Sequence, residues 1–203
     1  MKNKFGIDIC SSSGEDKNIS SSFKSKYLNT HFEKLQNVEK ELSRLPEKEE
    51  FFFLQSEASF NAFTFIPAVI KHYKVKELHA ATYSISRRVI NALVELHDQG
   101  YIDKITLLIS DSLIKRNPVT VDLLCSLVTT RPNIVVYFAW SHAKIATLKT
   151  KEHHFVIEGS GNWSENAHYE QYLFSNSKQH YEFRQEIFKN STIRHIADGR
   201  GLR

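Results

Sequence analysis

The chain has 203 residues, room for one good-sized domain and an appendage. With 41% hydrophobic and 25% charged residues its composition is that of an ordinary soluble globular protein, and no apolar run approaches the roughly 20 residues that cross a bilayer. The net charge of +4 suits a polyanionic partner without requiring one.

The N-terminus, MKNKFGIDICSSSGED, has no sustained apolar stretch of the secretory kind. Cys10 and Cys125 lie far apart with no CxxC partner, so neither a disulfide framework nor a cysteine zinc site is expected, and the setting reads as cytoplasmic. Residues 10–23 are serine-rich, and 1–27 read as a flexible arm. Thr30-His31-Phe32-Glu33 has the form of a capping box. Phe32, Leu35, Val38, Leu42 and Leu45 follow at helical spacing, which predicts an N-terminal helix over 28–46, closed by Pro46 and the acidic Glu47, Glu49 and Glu50.

From Phe51 the pattern changes. Residues 51–55, 77–84, 104–110 and 133–140 are short apolar or β-branched runs, and helical spacing occupies about 60–73, 87–98 and 118–129. Gly100 stands where a helix C-cap belongs. This alternation predicts a largely parallel sheet with helices on both faces. The runs 142–149, 153–158 and 168–174 are separated by gaps too short for crossover helices and are expected to pair antiparallel. A closing helix over 178–190 ends a domain placed at 51–190, and 191–203 read as a mobile basic tail. The fold class is thus α/β, a mixed sheet sandwiched by helices and preceded by a helix.

Chemistry-bearing residues concentrate between His142 and Glu170. His142 and Lys144 are two apart, so in one strand they point the same way. Ser160 and Asn162 follow in a Gly159-Ser160-Gly161-Asn162 turn, whose glycines suit close backbone approach to a ligand. An ammonium, a hydroxyl and a carboxamide together suit phosphate oxygens, and an imidazole beside them can attack phosphorus. Such a ring needs a carboxylate on its other nitrogen, and Glu170, expected inside the next strand, is preferred to Glu158 and Glu165. Residues 101–150 carry Lys104, Lys115, Arg116, Arg131, Lys144 and Lys149 against three acidic residues, a local surplus that fits a polyanion.

His142-x-Lys144 joined to Gly159-Ser160-x-Asn162, each at a strand end, resembles the HxK…GSxN signature of the phospholipase D superfamily. The resemblance covers residues 51–190. It implies a phospholipase D-like sandwich, a phosphohistidine intermediate on His142 and no metal or other cofactor. Only one motif is present, as in the short nuclease-like members, and this implies a homodimer whose two copies share one site. The family often has an aspartate five residues after the lysine; here that position is Lys149.

The leading expectation is therefore a metal-independent phosphodiesterase, an endonuclease acting on DNA rather than RNA. A non-catalytic nucleic-acid-binding module of the same fold and a phospholipase are the alternatives; no amphipathic basic helix or lipid anchor favours a membrane partner. Arg87, Arg88, Lys149 and Trp163 are the candidate nucleic-acid contacts, with Tyr169 as another ring for stacking. Trp140 is assigned to packing, Phe183, Ile187 and Phe188 to the core. His153 and His154, being adjacent, face opposite ways and read as structural rather than metal ligands.

Overall fold

The computed structural model describes residues 29–164, 166 and 168–203, with the side chains of 29–32 left aside. The arm expected at 1–27, and Glu165, lie outside the described residues. In chain order the elements are β1 (Asn29–Leu35), α1 (Val38–Glu41), β2 (Glu50–Ser56), a 3-10 turn (Ala62–Thr64), α2 (Phe65–Ile70), β3 (Val75–Thr82), α3 (Arg87–Asp98) and β4 (Ile102–Ser110). Then come α4 (Ser112–Arg116), α5 (Pro118–Thr129), β5 (Ile134–Ala139), β6 (Ile145–Lys149), β7 (His154–Gly159), β8 (Gln171–Asn176), α6 (Lys178–Asn190), β9 (Ile193–Asp198) and β10 (Gly201–Leu202).

All strands join one sheet in the order β1-β2-β8-β7-β6-β3-β4-β5-β9-β10. β3, β4 and β5 run parallel, whereas β6, β7 and β8 form the expected antiparallel meander, which meets β3 on one side and β2 on the other. One face carries the main core: Phe52, Leu78, Leu107, Phe138, Phe155 and Phe174 from the strands meet α2, α3 and α5 through buried residues such as Phe65, Ile90 and Leu124. The other face holds α6, where Tyr181 packs with Ile145 and Val156. The sandwich is therefore the expected mixed sheet with helices on both faces.

Side-chain caps define the longer helices. Ser86 Oγ accepts from Val89 N (3.3 Å), Asn117 Oδ1 from Thr120 N (3.2 Å) ahead of Pro118, and Ser177 Oγ from His180 N (3.4 Å). α3, α5 and α6 accordingly occupy the ranges read from the sequence, while the helix expected at 60–73 reduces to the 3-10 turn and the six residues of α2.

Two terminal expectations are corrected. In place of a helix over 28–46, residues Asn29–Leu35 pair in parallel with β2, from Asn29↔Glu50 to Leu35↔Ser56. Asn37, not Thr30, caps the only helical turn there, accepting from Lys40 N at 3.2 Å. Pairing with β2 gives these residues backbone partners along a whole strand, and this pairing overrides the local helical pattern. Leu35 and Val38 are each 2% exposed and serve the core from either side of the strand end. The expected basic tail is likewise structured: β9 pairs antiparallel with β5, and β10 folds back on β9. Asp198 gathers the charges of Arg203 (2.6 Å) and Arg200 (3.3 Å) within that hairpin.

Candidate active site

The site lies where the parallel strands end, the edge at which open α/β sheets bind ligands. β6 runs antiparallel to β3, with Ile145 opposite Ala81, so the chain just before β6 arrives beside the end of β3. It also lies against the end of β7, because Gly159 N donates to Lys144 O at 3.2 Å. His142 and Lys144 thus sit in the approach to β6 and not inside the strand. They still share a side: Lys144 Nζ donates to His142 Nδ1 at 2.8 Å and lies 3.1 Å from the His142 carbonyl oxygen. His142 is exposed and Lys144 half-buried. Burial pushes the Lys144 ammonium down from its ordinary value, with Glu170 and then Tyr83 opposing. With Nδ1 accepting from the ammonium, a neutral His142 ring carries its proton on Nε2.

The structure does not put Glu170 on the His142 ring. Glu170 precedes β8 instead of lying within it, and its carboxylate accepts the Ser160 hydroxyl in a short hydrogen bond. Ser160 Oγ in turn accepts from Gln171 N at 3.1 Å, so the serine is anchored to the start of β8.

The glycines of the turn also have a packing duty. A Cβ at Gly159 would stand 2.0 Å from Gln171 O, and one at Gly161 would stand 2.1 Å from Tyr172 Oη. They admit the neighbouring strand. Asn162 is held by its backbone: Asn166 Oδ1 accepts from Asn162 N at 2.8 Å, and Asn166 Nδ2 donates to Asn162 O at 2.9 Å and to Phe60 O at 3.3 Å. Its own side-chain oxygen is buried without a hydrogen-bond partner among the described residues. Asn166 was not singled out from sequence; an asparagine in a polar turn carries no pattern that marks it.

The candidate nucleic-acid contacts divide. Arg87 and Arg88 are exposed in the first turn of α3, which abuts the turn because Ser86 N donates to Trp163 O at 3.0 Å. Lys149 sits at the far end of β6 from His142 and pairs with Glu77 at 3.3 Å. Trp163 is 0% exposed, bridged to Ile85 and set against Phe63 at 5.9 Å, so it is a core residue and not a surface contact. Trp140 reverses the other way: β5 ends at Ala139, and the indole beyond it is 85% exposed, two residues before His142. Tyr169 is 71% exposed. Phe183, expected in the core, is exposed on α6 under the Arg184 guanidinium (4.9 Å). His153 lies tilted against Tyr73 (4.6 Å) and His154 meets Tyr181 (5.0 Å), so the pair does face opposite ways.

An open groove of about 860 Å³ leads to His142 and Lys144, across strands that α6 leaves uncovered. Phe53, Gln171, Leu173, Glu158 and Arg184 line it together with His142 and Lys144. Glu158 lies in an ion pair with Arg184 (2.8 Å to Oε1) and 3.5 Å from His180 Nε2. Burial works against ionisation of this carboxyl, but hydrogen bonds from His180 and Arg184 outweigh it and hold Glu158 below its ordinary value.

The mixed ten-stranded sheet with helices on both faces is a phospholipase D-like fold. No family model and no curated protein matches the chain. Among solved structures it is similar to polyphosphate kinase from Porphyromonas gingivalis, with a TM-score of 0.50 and 13% identity over 63% of this chain and 23% of that one. It is also similar to phosphatidylserine synthase from Haemophilus influenzae Rd KW20 (TM-score 0.49, 12% identity, 71% and 40% of the two chains). A third similar structure is TrmBL2, an archaeal chromatin protein (TM-score 0.42, 11% identity, 66% and 53%). At these identities the likeness concerns the fold, and the chain spans less than two thirds of each of these proteins. Among the described residues no helix is long and apolar enough to cross a membrane.

Proposed function

We propose that the chain is a phosphodiesterase acting on nucleic acid, an endonuclease with DNA as its substrate, working without a metal through a phosphohistidine on His142. The observation that carries this reading is the convergence of His142, Lys144 and the Ser160–Asn162 turn on one sheet edge, with the lysine on the imidazole at 2.8 Å, at the head of an open groove. The Asn162 side-chain oxygen is buried with no hydrogen-bond partner among the described residues, and the carboxamide nitrogen is the donor this reading assigns to a phosphate. Arg87 and Arg88 occupy the first turn of α3, where the helix dipole disfavours cations, so an anionic partner is what would reward them. The exposed faces of Trp140 and Tyr169 suit bases.

In this reading a phosphodiester draws the Lys144 ammonium away from Nδ1, and the freed imidazole presents a lone pair to phosphorus. The N–P bond forms as the P–O bond to the leaving group breaks, and the partner subunit's His142 delivers a proton to that oxygen. Water then attacks phosphorus, the same partner ring accepts its proton, and the N–P bond breaks. Two copies of Lys144 and Asn162 surround one phosphate and stabilise its developing charge.

The test is His142→Ala. It should abolish cleavage of a labelled oligonucleotide and the acid-labile phosphoprotein trapped by rapid quench, while a chelator leaves the parent unaffected. Light scattering should report twice the 23.5 kDa chain mass. Parental turnover by the His142 variant would end the proposal, and a monomer that cleaves would remove the shared site.

A further inference from the structure

Among the described residues no carboxylate is hydrogen-bonded to the His142 imidazole; Glu170 accepts from Ser160. Besides the Lys144 ammonium on Nδ1, what touches the ring is aromatic. Tyr83 lies with its centroid 4.5 Å from that of His142, the planes 39° apart. Tyr83 is itself gripped: Arg116 places its guanidinium carbon 4.3 Å from the phenol centroid and donates to the Tyr83 carbonyl at 3.3 Å. Arg116 Nε also donates to Ser112 Oγ at 3.3 Å, which tethers the guanidinium to its own helix.

Sheet order explains how three residues so distant in sequence come together. β6, β3 and β4 are neighbours. His142 precedes β6, Tyr83 follows β3, and Arg116 ends the short helix that follows β4. The three groups are therefore delivered side by side along one edge. The turn that carries Tyr83 is braced as well: Thr82 Oγ1 donates to Ser84 O at 2.8 Å and accepts from Trp163 N at 3.2 Å, and the Ser84 and Ser164 hydroxyls meet at 2.7 Å.

We propose that Tyr83, clamped by Arg116, is a positioning residue that fixes the imidazole of His142 for attack, in the place where an orienting carboxylate was expected. The contact is made by the ring face, so the phenol hydroxyl is not required. An exposed imidazole without such a support rotates about χ1 and χ2, and each rotation takes the attacking nitrogen out of line with phosphorus. The cation over the phenol strengthens the grip through the ring quadrupole. This inference rests on the reading of His142 as the reacting group, and its test has one arm that does not.

The experiment uses the full chain with histidine labelled at Cε1, the His142 signal being assigned by its loss in His142→Ala. Tyr83→Ala should move the His142 ring signal toward that of a free imidazole, and Tyr83→Phe should leave it in place. With bis(p-nitrophenyl) phosphate as substrate, Tyr83→Ala should lower kcat by about 10- to 100-fold at a KM within about twofold of the parent. Tyr83→Phe should retain most of the rate. Arg116→Ala should cost about two- to fivefold, with partial recovery in Arg116→Lys. Should Tyr83→Ala fail to fold, Tyr83→Leu keeps bulk without the ring face and serves the same comparison.

An unmoved His142 signal in the Ala or Leu variant would overturn the assignment. So would equal damage from Tyr83→Phe, which would point to the hydroxyl, or a raised KM at constant kcat, which would make Tyr83 a substrate contact. If the parent hydrolyses no diester, the phosphodiesterase reading falls, and the ring signal still decides the positioning contact.

Discussion

Gly161 separates two reasons for a glycine beside a candidate site. If it makes way for a ligand, Gly161→Ala should leave stability intact and harm turnover. The structure gives the opposite expectation. A Cβ there stands 2.1 Å from Tyr172 Oη and 2.9 Å from its Cζ, and contacts under 3.0 Å do not persist, so the phenol must retreat by about 1 Å. It has little room: Tyr172 is 3% exposed, stacked on Phe60 at 5.4 Å and tilted against Phe65 at 5.2 Å, with its hydroxyl donating to Phe60 O at 3.2 Å. Overpacking of this kind costs about 1–3 kcal/mol, and the weakened buried hydrogen bond adds about 0.5–1.5 kcal/mol. A loss of about 3 kcal/mol corresponds, at roughly 2–4 °C per kcal/mol for a chain of this size, to a Tm lower by about 6–12 °C. Circular-dichroism melts and urea titrations measure it. Because the offending atom is a hydroxyl, adding Tyr172→Phe to Gly161→Ala should return part of the loss, with a coupling above about 1 kcal/mol in the double-mutant cycle. A Gly161→Ala protein as stable as the parent, or one indifferent to Tyr172→Phe, would refute the packing argument.

Three further outcomes follow from the same contacts. Lys144→Ala and Asn162→Ala should each lower kcat for a phosphodiester by about 100- to 1,000-fold through lost stabilisation of transition-state charge, measured in single-turnover assays. Trp140→Ala should weaken binding of an unpaired oligonucleotide by an amount matching about 1–3 kcal/mol of stacking. Since Trp163 is buried, quenching of the parent's fluorescence by that oligonucleotide should vanish in the Trp140 variant. Arg184→Ala should strand the Glu158 carboxylate, 18% exposed, and cost about 2–4 kcal/mol in urea unfolding near pH 7. Glu158 has a depressed folded-state pKa, so its contribution is present above the ordinary carboxyl value and lost as pH falls through the folded one. The deficit of the Arg184 variant should therefore shrink toward pH 4, and a pH-independent deficit would contradict this account.

The parts of the molecule legible in sequence are those whose causes are local. α3, α5 and α6 begin at Ser86, Asn117 and Ser177 because a short polar side chain three residues before an amide meets an orphan N–H, and that relation is visible in one dimension. The pairing of His142 with Lys144 is equally local. The failures share another cause. Residues 29–35 carry a helical spacing, but pairing with β2 decides the outcome. Trp140 and Trp163 exchange duties because the first steps off the end of β5 while the second is bridged to Ile85 beneath the β3–α3 turn, and neither fact is written near the tryptophan. Glu170 is within reach of the site, yet Ser160 captures it, since both side chains stand at the start of β8. Strand order also explains why the support of His142 escapes notice: Tyr83 and Arg116 are 59 and 26 residues away from it in sequence but one and two strands away in the sheet. The motif names the groups with chemical capacity; what holds them in register is set by which strands are neighbours. On this view substitutions at Tyr83, Asn166 or Tyr172, none of them in the motif, should disturb the site as surely as changes within it.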